Sequence, residues 1–104
     1  MLILVCGLPG TGKSVVAKEF AKNLPGSVVL RTDVLRKRIF RKPRYTKGEK
    51  DLVYDAMFLS ADRLLKEKKN CILDATFWKE EHRERAKKLA RERKTNFVIV
   101  ECIC

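Results

Sequence analysis

The 104-residue chain is short of several things, and each shortage excludes a class of protein. No apolar run approaches the roughly 20 residues of a membrane span, so no membrane partner is expected. The apolar start, Met1 to Cys6, has no basic flank and leads straight into a glycine-rich loop, unlike a secretory leader. There are four cysteines, Cys6, Cys71, Cys102 and Cys104, and none forms a C-x-x-C pair. All four lie in or beside strand-like runs, which predicts buried, reduced core residues and a cytoplasmic protein. Histidine occurs once, at His82 among charged neighbours, where it is expected to face solvent. Without a nearby Cys or His pair, Cys102 and Cys104 make a poor metal site. Repeats and low-complexity linkers are absent, so one domain with a modest core is expected over residues 1–104.

What is abundant is positive charge. Lysine and arginine number 24 against 13 acids, a formal net charge of +11. The excess is concentrated between Arg31 and Lys50, where nine basic residues meet only Asp33 and Glu49. Such a run is either a solvated face with a basic loop or an anion-binding surface.

Residues 7–14, Gly-Leu-Pro-Gly-Thr-Gly-Lys-Ser, match G-x-x-x-x-G-K-[ST], the phosphate-binding P-loop. The preceding run reads as a buried parallel strand. The following Ser14–Leu24 reads as a helix with Val15, Val16, Phe20 and Leu24 inward. Gly7, Gly10 and Gly12 let the backbone turn tightly and approach a ligand, and the N–H groups of the loop and helix start then face an anion. The nucleotide-binding residues are therefore Gly7, Leu8, Pro9, Gly10, Thr11, Gly12, Lys13, Ser14 and Val15. Lys13 is placed to reach the β- and γ-phosphates of ATP, and the Ser14 hydroxyl to ligate Mg²⁺.

Further elements follow in order. Ser27–Arg31 reads as a strand, with Thr32-Asp33 capping a short basic helix over Val34–Arg41. Thr46 and Glu49 fit a capping box opening a long helix to about Lys69, with Val53, Met57, Ser60, Ala61, Leu64 and Leu65 near one face. Cys71–Leu73 is a third strand ending at Asp74, Trp78–Lys94 a charged helix, and Phe97–Cys104 a fourth strand. The order βαβααβαβ predicts an α/β fold, a parallel sheet of about four strands with flanking helices. Ligands of such sheets bind beyond the carboxyl ends of the strands, where the P-loop, Asp33 and Asp74 all fall.

With GLPGTGKS, the segment Thr32-Asp33-Val34-Leu35-Arg36 and the segment Leu73-Asp74-Ala75-Thr76-Phe77, the chain resembles the P-loop kinases of the polynucleotide-kinase-like and small-molecule-kinase branch. That resemblance implies a P-loop NTPase fold of the nucleoside-kinase-like type and a γ-phosphoryl transfer from ATP to a hydroxyl acceptor, catalysed with Lys13, Asp33 and Arg36. Asp33 would accept the hydroxyl proton, or else serve only as a helix cap. Arg36, one turn on, would face the same cleft and hold an acceptor anion, or be one more basic surface residue. Asp74 would join Ser14 in organising Mg²⁺, orient Arg36, or cap a turn. Thr76 reads as the cap of the next helix. Trp78 reads as packed between helix and sheet, and Tyr45 as the better stacking surface for a base.

The basic stretch favours an anionic acceptor such as nucleic acid, a nucleotide or another phosphorylated molecule. Relatives in this branch continue past the fourth strand with an arginine-bearing lid and a fifth strand. The chain stops at Cys104, so the resemblance implies a core without its lid, with an edge strand open to self-association. A nucleotide-binding module without catalysis is the alternative function. An ATPase of the AAA+ type is another, but that class wants Glu after the strand-end Asp, where this chain has Ala75.

Overall fold

A computed structural model describes residues 1–8, 10–77 and 79–102. The elements are β1 (Leu2–Cys6), α1 (Lys13–Asn23), β2 (Val28–Arg31), α2 (Thr32–Ile39), α3 (Lys47–Lys66), β3 (Cys71–Asp74), α4 (Glu80–Glu92) and β4 (Phe97–Glu101). The expectations for Pro9, Trp78 and Cys104 lie outside the described residues.

The four strands pair in parallel in the order β2-β3-β1-β4. β1 and β3 are central, and every residue in them is buried, which is why both read as unbroken apolar runs. Alternation along β1 sorts its side chains between two cores. Leu2, Leu4 and Cys6 pack with Tyr54, Met57, Phe58, Ala61 and Leu65 of α3 and Ala86, Leu89 and Ala90 of α4. Ile3 and Val5 face Ala17, Val16 and Phe20 of α1 on the opposite side. The result is a three-layer α/β/α arrangement, as expected from the element order. β2 and β4 are the edges, and both are only partly buried.

Several local expectations change. Val15 does not turn inward; it is 65% exposed at the start of α1. Thr32 and Asp33 are not caps but lie inside the first turn of α2, whose N-cap is Arg31. Thr46 does cap α3, accepting from Glu49 N at 3.2 Å. The reciprocal half of the box is missing, because the Glu49 side chain turns to Arg44 N (2.8 Å) and to Arg36. The buried stripe of α3 includes Tyr54 and Phe58, while Ser60 and Leu64 are only partly buried. Cys6 and Cys71 are buried and free, and Cys102 is partly buried. Burial pushes the Cys6 thiol up to about 11 and the Cys71 thiol to about 12, which keeps both protonated and inert.

Candidate nucleotide and acceptor site

The site forms where β1, β2 and β3 end at one level. Register places Val5 and Arg31 on either side of Asp74. From β1 the chain enters the glycine loop. Gly7 adopts φ +148, and a Cβ there would lie 2.7 Å from Thr11 Oγ1 and 2.8 Å from the Cys102 carbonyl oxygen, so only glycine fits. Gly12, at φ 81, is the N-cap of α1. It has no side chain to satisfy the first N–H groups, and the first turn of α1 carries no acid. That leaves the positive end of the helix suited to an anion.

Ser14, in the first turn, puts its Oγ 3.5 Å from Asp74 Oδ2. The same carboxylate oxygen lies 3.4 Å from Arg31 Nε. Asp74 is 6% exposed. Burial holds its carboxyl above the ordinary range; Lys13 and Arg31 pull it down, Asp33 pushes it up, and the Ser14 hydroxyl favours the charged form. Lys13, Ser14 and Asp33, from two separate segments, thus all act on Asp74 from a third.

The loop after β3 is fixed from α3. Phe77 is fully buried with φ 48, a left-handed conformation that is costly for a bulky residue. Its N–H donates to Tyr54 Oη at 3.0 Å, and Tyr54 Oη also lies 3.3 Å from Thr76 Oγ1. Thr76 is therefore bonded to α3 and does not cap α4, whose N-cap is Lys79. His82 is not solvent-facing either. It is half-buried, with its ring stacked on Tyr54 at 3.9 Å between centroids. Burial, then the Lys79 ammonium, hold it below the usual imidazole value.

Arg36 departs most from expectation. It is not the residue at Asp74; Arg31 takes that place. Its guanidinium lies against α3, with Nε 3.2 Å from Glu49 Oε1 and the Tyr45 ring 4.6 Å from Cζ. Asp33 is exposed, and its Oδ1 accepts from Val34 N at 3.0 Å. Sequence reasoning did not assign Arg31, Glu49 and Tyr54 to the site. Arg31 was visible as the last residue of a strand, whereas Glu49 and Tyr54 act through the packing of α2 and the β3 loop on α3, which periodicity does not reveal.

Among the described residues no three His, Cys, Asp or Glu side chains gather into a metal cage. The Ser14–Asp74 pair is an oxygen-only set, which suits Mg²⁺, a cation that takes one or two protein ligands and fills its shell with phosphates and water.

A glycine loop between a central parallel strand and a helix, facing a buried strand-end carboxylate, defines a P-loop nucleotide-binding fold. The family model of the AAA domain matches residues 2–104, and the chain belongs to that family. L-seryl-tRNA(Sec) kinase of Methanococcus maripaludis is 28% identical over 96% of this chain, which spans 40% of that protein. A chain of the Pnkp1/Rnl/Hen1 RNA repair complex superposes with TM-score 0.79 at 23% identity, over 97% of this chain and 32% of that one. The APS kinase CysC of Mycobacterium tuberculosis superposes with TM-score 0.75 at 25% identity, over 97% and 73% respectively.

Proposed function

We propose that residues 1–104 are the core of a kinase that transfers the γ-phosphoryl group of ATP to a hydroxyl of an anionic acceptor. The observation that carries this reading is the approach of Ser14 Oγ to Asp74 Oδ2 at 3.5 Å, with Lys13 and Asp33 acting on the same carboxylate. The kinase names borne by the similar proteins agree with it.

In this mechanism the loop of residues 7–15 binds the phosphates through backbone N–H groups, and Lys13 neutralises the β- and γ-phosphates. Ser14 and Asp74 would hold Mg²⁺, which when bound would neutralise charge on the phosphate oxygens. Asp33, two residues past the Arg31 N-cap of α2, takes the proton of the attacking hydroxyl. Arg36 holds an acceptor phosphate. Its Nε is committed to Glu49, which leaves the terminal guanidinium nitrogens as donors. The residue after Asp74 is Ala75, 2% exposed, so this position offers no carboxylate to activate water as an ATPase would need.

Two measurements on one preparation test the reading. Calorimetry with Mg²⁺ and ATP should give binding that Lys13→Ala weakens, because a charge-assisted contact is lost. With γ-labelled ATP, label should pass to a hydroxyl-bearing acceptor. Equal ATP affinity in parent and Lys13→Ala, or release of label only as free phosphate, would overturn it.

A further inference from the structure

Tyr45 is 66% exposed and stands in the most basic stretch of the chain. Its φ of 58 lies in the left-handed region, which disfavours an aromatic residue. The ring is nonetheless held firmly. One face covers the Arg36 guanidinium at 4.6 Å. Arg36 is fixed by Glu49, and the other Glu49 oxygen accepts from Arg44 N, the residue before Tyr45. Thr46, the residue after it, is the N-cap of α3. Both chain neighbours are therefore anchored, and the ring's exposure leaves its second face open to solvent.

An aromatic side chain kept in a costly backbone conformation, yet left out of the core, is not there to be buried. Its surroundings say what would cover it. Arg41, Lys42, Arg44 and Lys47 are all exposed around it. On the other side Arg36 lies three residues, just under one helical turn of about 5.4 Å, from Asp33. Arg36 thus links the Tyr45 ring to the helix that carries Asp33.

We propose that Tyr45 is a stacking platform for the terminal base of the acceptor, with the surrounding cations meeting its backbone phosphates, so that the acceptor is a single-stranded nucleic acid. This rests on the kinase reading for the position of the reacting hydroxyl. Stacking is tolerant of base identity and electrostatic contacts carry no sequence information, so recognition here is of a strand end, not of a sequence.

The test uses a short labelled single strand, intact or abasic at its terminal nucleotide, titrated by fluorescence anisotropy at low and moderate salt. Tyr45→Leu should weaken the intact strand about 5- to 150-fold, the usual worth of one stacked base. Affinity for the abasic strand should stay within about two-fold, and the salt dependence should not change, since no charge is removed. Tyr45→Phe should bind as the parent does, and it guards against a folding defect in the leucine variant. Equal weakening of both strands would mean that Tyr45 acts only by covering Arg36, and would overturn the proposal. So would a phenylalanine variant as weak as the leucine one, or no binding by the parent at low salt. ATP calorimetry on the same samples separates the two readings. Loss of ATP binding in the parent removes the kinase and leaves the strand platform standing on its own data.

Discussion

Arg36 on α2 and Glu49 on α3 form a buried ion pair, their side chains 14% and 5% exposed, with Nε and Oε1 3.2 Å apart. Neither of these two atoms makes an aligned hydrogen bond, so the pair is held by charge, while Glu49 Oε2 secures the Arg44 N–H. It is a polar tie between α2, which carries Asp33, and the long helix that supports the opposite side of the site. Removing one partner of a buried pair strands the other charge, which costs about 3–5 kcal/mol.

Glu49→Ala should therefore destabilise the chain by an amount of that order, read from denaturant unfolding. The double variant Arg36→Leu with Glu49→Leu should cost far less than the sum of its parts, because apolar side chains replace both charges together. A strictly additive cycle would show that the pair does not couple α2 to α3.

Asp33→Asn should lower turnover on a hydroxyl acceptor by about 10²–10⁴, the usual contribution of a positioned general base. ATP affinity should change little, since Asp33 lies on α2 and not in the glycine loop. Measuring kcat for transfer alongside calorimetric ATP binding checks both halves. Turnover within a few-fold of the parent would reduce Asp33 to a favourable acid in the first turn of a helix.

Most of the fold was legible because β1 and β3 are buried on both faces and so wrote themselves as MLILVC and CILD. The glycine loop was legible because a phosphate-binding turn requires specific residue types at fixed spacing, and the Gly7 contacts leave no room for another side chain. What stayed hidden were choices made by tertiary packing. Val15 and Phe20 both fit an apolar stripe, yet only Phe20 packs against the core facing Ile3 and Val5. His82 looked solvated among charges, and only the packing of α4 on α3 sets it on Tyr54. Arg31 and Arg36 are both basic residues near a strand end, and nothing in their spacing says which one turns to Asp74.

Asp74 sets site chemistry against stability. Its folded carboxyl lies above the unfolded value of 3.8, chiefly because burial penalises the charge, so ionising it works against folding. The direction follows from linkage. Below about pH 3.8 the carboxyl is protonated in both states and the penalty is absent. As pH rises from there through the higher folded value the penalty grows, and it is complete once the folded carboxyl has ionised. Asp74→Asn removes the ionisable group while keeping a side chain of similar shape beside Ser14 and Arg31. The ligand-free variant should therefore melt above the parent at pH 7, and this advantage should shrink as pH falls toward 4. In the presence of Mg²⁺ and ATP the order should reverse, because a ligand that binds only the folded state stabilises in proportion to its affinity, and the variant has lost the carboxylate that would help hold the cation. Melting curves at several pH values, with and without Mg²⁺ and ATP, measure all three statements. If the parent is the more stable form at pH 7 without ligand, Arg31 and Lys13 outweigh burial, and Asp74 is a structural carboxylate in an ion-pair network.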